Sequence, residues 1–97
     1  MLQPAPTILI FMGKNGSIRL KEFKPYFPNA MALPDRSNPA SIHWPVQGKE
    51  VYLIDTSAAR PYFINHFVKV LFSYGATKIT YISSKSNQVF KRSLKNV

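Results

Sequence analysis

The stretch VYLIDTSAARPYFINHFVKVLFSYGATKITYI, residues 51–82, decides the fold. Val51-Tyr52-Leu53-Ile54-Asp55 is a short apolar run of the kind that forms a buried strand, and Asp55-Thr56-Ser57 ends it. From Ala58 to Tyr74 the period changes. Phe63, Phe67, Val70 and Tyr74, with Ile64, Val68 and Leu71, fall on one side of a helix, while Asn65, His66, Lys69 and Ser73 fall on the other. Thr56 or Ser57 can cap the first turn, Pro61 is tolerated there because its missing N–H has no intrahelical partner, and Gly75 suits the stop. Lys78-Ile79-Thr80-Tyr81-Ile82 is then a second strand. A strand, helix and strand joined by short connections predict a right-handed βαβ unit with parallel strands.

Upstream, Thr7-Ile8-Leu9-Ile10-Phe11-Met12 reads as another buried strand. Gly13-Lys14-Asn15-Gly16 follows. Its Asn-Gly pair is a turn signal, and Ile18 and Leu20 alternate with Arg19 and Lys21, so the simplest expectation is a β-hairpin over residues 7–23. Five prolines (25, 28, 34, 39 and 45) then exclude any long helix or central strand. Phe27, Met31, Leu33, Ile42 and Trp44 are the apolar anchors that would pin this segment to the core as a packed loop, with one helical turn near Asn29 to Leu33. Residues 83–97 fit two descriptions. Phe90, Leu94 and Val97 share a helical face, and Ser84-Lys85-Ser86-Asn87 equally suits a turn returning Gln88 to Arg92 as an edge strand. The expected fold class is α/β, a single domain over residues 1–97.

The chain has 97 residues, no cysteine, and 13 Lys and Arg against 4 Asp and Glu, for a net charge of +9. Without cysteine there is no disulfide framework, thiolate metal site or thiol nucleophile. No apolar run is long enough for a bilayer, and Met1 to Pro6 lack a signal-peptide layout, so a cytoplasmic domain without membrane contact is expected. All four acids, Glu22, Asp35, Glu50 and Asp55, precede residue 56. Residues 56–97 carry Arg60, Lys69, Lys78, Lys85, Lys91, Arg92 and Lys95 with no acid, a one-signed field that attracts polyanions.

Two loops carry further meaning. Gly13-Lys14-Asn15-Gly16 has the G-x-x-G form and resembles the backbone-approach loop of KH domains, although that loop joins two helices and a strand-like run precedes this one. Asp55-Thr56-Ser57-Ala58-Ala59-Arg60 leaves the carboxyl end of a strand, where open α/β sheets bind ligands. Thr56, Ser57 and Arg60 could hold a phosphate there, and plain helix capping is the competing explanation. In order and size this unit is similar to small dimeric Rossmann-like nucleotide-binding domains, CRISPR-associated ring nucleases among them. That resemblance implies a nucleotide or cyclic oligonucleotide at residues 55–60 of a homodimer.

His43 and His66 have no carboxylate at metal-pair spacing, and four acids give thin material for acid–base chemistry, so neither a metal, a cofactor nor catalysis is expected. The leading expectation is a small basic module that binds RNA or single-stranded DNA through its backbone. Arg60, Lys69, Lys78, Lys85, Lys91, Arg92 and Lys95 would be the phosphate contacts. The alternatives are the nucleotide-binding dimer and a viral or mobile-element inhibitor domain that docks on an acidic protein.

Overall fold

The computed structural model describes residues 7–85 and 87–91. The apolar run at the start becomes β1 (Thr7–Met12), and the two strands of the βαβ unit become β3 (Glu50–Asp55) and β4 (Lys78–Ile82). With β2 (Met31–Ala32) and β5 (Asn87–Lys91) they form one sheet in the order β2-β1-β3-β4-β5. The pairs β1–β2, β1–β3 and β3–β4 are parallel, and β5 runs antiparallel to β4, so the tail is an edge strand over its described part. Chain order therefore reverses direction across the sheet between β1 and β3.

The predicted hairpin is not formed. Residues Gly16–Phe23 fold instead as helix α1, and β1 takes parallel partners on both sides. The alternation of Ile18 and Leu20 is too short to decide between periods, and Gly16, Leu20 and Phe23 also recur at helical spacing. Gly16 is buried against the Phe11 backbone, and the Phe23 ring lies 5.5 Å from the Phe11 ring. Ile18, inward in the hairpin reading, is 61% exposed. The helical turn expected near Asn29 to Leu33 is likewise replaced by the short strand β2.

Helix α2 occupies Pro61–Ser73, three residues shorter at its start than the expected Ala58, because Ala58 has φ +55° and the chain stays extended to Arg60. Ile64, Phe67, Val68 and Leu71 are its buried face. They meet Ile8, Ile10 and Met12 of β1, Val51 and Leu53 of β3, and Ile79 and Tyr81 of β4. The proline-rich segment closes this core. Trp44 is 1% exposed, its ring centroid lies 5.2 Å from that of Phe67, and its indole N–H donates to the Pro39 carbonyl at 2.9 Å. Phe27, expected among the anchors, stays largely exposed beside Phe23. Since Phe11 points away from Ile10 and Met12, α1 and α2 cover opposite faces of the sheet. Among the described residues no helix is long and apolar enough to cross a membrane.

Trp44→Ala should cost about 3–5 kcal/mol, as deletion of a large buried ring does. Ile18→Ala should stay within about 0.5 kcal/mol, as for a surface site. Urea unfolding followed by far-UV circular dichroism measures both; a large loss at Ile18 would contradict the placement of α1.

Candidate nucleic-acid interface

The carboxyl ends of β1 and β3 are tied together by hydroxyls. Thr56 Oγ1 donates to the Met12 carbonyl at 2.9 Å and accepts the Asn15 N–H at 3.1 Å, while Ser57 Oγ accepts the Lys14 N–H at 3.0 Å. Gly13 makes this approach feasible: its φ is +96°, and a Cβ there would overlap Ser57 Oγ and Thr56 Oγ1. The loop before α2 folds around Asp55, the one buried charged side chain among the described residues. Its carboxylate accepts the N–H of Ser57 at 2.9 Å, the N–H of Ala59, and the Tyr81 hydroxyl at 2.6 Å. Thr56 and Ser57 thus bind the neighbouring turn instead of capping α2, whose first residue is Pro61 and whose N-cap Arg60 makes no side-chain cap. The Ser57 and Ala59 N–H groups that could have met a phosphate already meet a carboxylate.

The face of the sheet opposite α2 is different. Side chains alternate across each strand, so the register sets three rows over β1, β3, β4 and β5. The first is Thr7, Glu50, Lys78 and Lys91, the second Leu9, Tyr52, Thr80 and Val89, and the third Phe11, Ile54, Ile82 and Asn87. Helix α1 covers Phe11 but, at eight residues, does not reach the β3–β5 part of this face, which is open among the described residues. Tyr52 is 37% and Val89 56% exposed. At the carboxyl end of the same face lies a crevice of about 470 Å³. Phe11, Phe23, Ile54 and Ile82 form its apolar lining, and Asn15, Arg19, Thr56 and Ser84 contribute polar groups.

Of the seven cations expected to contact phosphate, the five that are described do not form one patch. Lys78 and Lys91 are register partners in the first row of the open face, with Glu50 3.9 Å from Lys78. Lys85 borders a small hollow on the α2 side of the carboxyl edge, beside Ala59 and Pro61, and Arg60 immediately precedes Pro61. Lys69 is on the exposed surface of α2. Arg92 and Lys95 lie outside the described residues. Arg19 of α1, not singled out from the sequence, flanks the open face and pairs with Glu22 at 3.0 Å.

Elsewhere, His66 Nε2 is 3.3 Å from Asn38 Oδ1 and the His43 ring meets the Tyr74 ring edge-on. A larger hollow of about 840 Å³ opens at the amino ends of β3 and β4, between His43, Gln47, Lys49 and Tyr74, and Lys49 is the one cation lining it. The exposure of Tyr52 escaped the sequence reading, because a strand in a parallel sheet is expected to be covered on both faces. The polar Lys78 and Thr80 at alternate positions of β4 were the available sign of an open face. No protein-family model, curated protein or solved structure matches this chain.

Burial, and then the bond to Asp55, push the Tyr81 hydroxyl from about 10 up to about 12. The folded state therefore favours neutral Tyr81, and its contribution is complete below pH 10 and disappears as pH approaches 12. Tyr81→Phe should cost about 1.5–3 kcal/mol at neutral pH, as for a hydrogen bond to a charged group. The gap between wild type and variant should close between pH 10 and 12 in urea titrations. A gap that is unchanged at pH 12 would contradict the assignment.

Proposed function

We propose that the protein binds single-stranded nucleic acid across the open face of its sheet. The observation that carries this reading is Tyr52, exposed at the centre of a face whose amino-end row holds Lys78 and Lys91. A base stacks on an aromatic ring whatever its identity, and lysine neutralises the phosphates on either side. The three rows are two residues apart, about 7 Å each, a spacing suited to the two or three bases that exposed sheets accommodate. The net charge of +9 favours a polyanion over a second copy of the same face. Neither helix is presented free of the sheet for insertion into a major groove, so a flexible strand suits the surface better than a duplex.

Single-stranded RNA and DNA should bind more tightly than duplex, with affinity falling steeply with salt. Tyr52→Ala should weaken binding roughly tenfold or more, the loss of one stacked base. Lys78→Ala with Lys91→Ala should lower the log–log salt slope by about 1.4, two phosphates at about 0.7 each. Fluorescence anisotropy of labelled oligomers at two salt concentrations measures all three. Failure to bind at low salt overturns the proposal. So does unchanged binding by Tyr52→Ala; a change in sedimentation coefficient in that variant would then identify the face as a contact between copies.

A further inference from the structure

We propose that β5 is a self-association edge, along which a second copy of this chain pairs antiparallel. The inference goes beyond the single-strand reading and does not rest on it. The two edges of the sheet are built differently. β2 is two residues long and lies between Pro28 and Pro34, which cannot donate to a further strand. Short strands and prolines are the usual means of closing an edge to other chains. β5 has neither device. It runs over five residues, Asn87–Lys91, without proline or acid, and has one strand partner, β4, among the described residues. Four of its five residues are exposed, so no described element covers it. The unpaired N–H and C=O groups of such an edge are a template for another strand.

Charge and register select the occupant. The edge is almost neutral, with Lys91 as its one charge, so it offers little field to choose an acidic segment of another protein. It does fit itself. With a two-fold axis at Val89 all five residues pair: Val89 meets Val89 of the second copy, Gln88 meets Phe90, and Asn87 meets Lys91. No like charges oppose each other, and the Asn87 carboxamide can accept from the Lys91 ammonium. Moving the axis to Gln88 would set Lys91 opposite Lys85, and moving it to Phe90 would leave three residues paired.

The charge of the whole chain does not forbid this pairing. The two Lys91 side chains stand four residues apart along the ladder, about 14 Å at about 3.4 Å per residue. That exceeds the roughly 8 Å over which exposed charges act at physiological ionic strength. Opposite residues of an antiparallel pair point to the same side, so the axis is perpendicular to the sheet. The open faces of both copies then form one continuous surface carrying Tyr52 and Val89 of each, with both α2 helices behind it. With five residues per copy the interface is small, and the equilibrium is reversible.

The chain has no cysteine, so single introduced cysteines report the register. Without nucleic acid, sedimentation velocity should show monomer passing to dimer as protein concentration rises. Higher salt should favour the dimer, because the net charge of +9 opposes it. A short bismaleimide should join Val89→Cys into a covalent dimer, whereas Asn87→Cys and Lys91→Cys should cross-link only with each other. Val89→Lys, which sets two cations face to face at an exposed position, should weaken the dimer about tenfold with unchanged far-UV circular dichroism. A monomer at every concentration overturns the proposal, as does cross-linking of Asn87→Cys alone at the rate of Val89→Cys. Dimers that do not cross-link at position 89 also overturn it, since the contact then lies elsewhere on the surface. No readout involves nucleic acid, so failure here and failure of the sheet-face reading are separate results.

Discussion

The Asp55 carboxylate organises the carboxyl end of the sheet. Moving a carboxylate out of water costs several kcal/mol unless donors replace the lost hydration. Here the donors are two backbone N–H groups of its own loop and the Tyr81 hydroxyl from the neighbouring strand. Meeting that demand curls residues 55–59 back over β3, with Ala58 at positive φ. The curl presents Thr56 and Ser57 to the turn after β1, where they take the N–H groups of Lys14 and Asn15. The start of α1 is thereby set against β3, and the crevice between α1, Ile54 and Ile82 acquires its width.

A second constraint is the unequal cover of the two faces. Helix α2, thirteen residues long, and the proline-rich segment seal one side around Trp44 and Phe67. On the other side the link between β1 and β2 forms a helix of only eight residues, α1. Parallel sheets are ordinarily covered on both faces, since their strands are apolar on both. The strands adapt to this exposure: β4 places Lys78 and Thr80 outward against Ile79 and Tyr81 inward, and β5 places Lys91 and Val89 outward against Phe90 inward. The open face is therefore neither as apolar as a core nor as polar as an ordinary surface. That mixture suits a ligand with flat apolar faces and charged edges.

Much of the α/β architecture could be read from residues 51–82, because a thirteen-residue helix with four buried positions on one side outweighs any local ambiguity. The Gly13 to Phe23 segment could not be read in the same way. Gly-Lys-Asn-Gly followed by Ile-Arg-Leu-Lys satisfies a hairpin locally, and the helix prevails only because Gly16 can approach Phe11 closely and Phe23 can stack on it. Those are contacts of the finished fold. The same error concealed the crevice, since Asn15, Arg19 and Phe23 share a wall only when the segment is helical. Charge was legible as a total but not as a pattern. The acid-free half of the chain places Lys78 and Lys91 on one face, Lys69 on α2, and Arg60 and Lys85 at the other side of the carboxyl edge.

The division of labour at the carboxyl edge follows from where the hydrogen-bond donors are spent. In a phosphate-binding α/β loop, free N–H groups converge on the anion at the start of a helix. In this chain the equivalent N–H groups are consumed internally, those of Ser57 and Ala59 by Asp55 and those of Lys14 and Asn15 by Ser57 and Thr56. A ligand's charge must then be met by side chains: Arg19, paired with Glu22, beside the crevice, and Lys78 and Lys91 at the opposite end of the strands. Under the single-strand proposal these cations are too far apart for one nucleotide to meet them together, whereas a chain of nucleotides can run from one to the other across Tyr52. The internal use of the loop N–H groups is therefore the feature that favours a polymer over a single nucleotide.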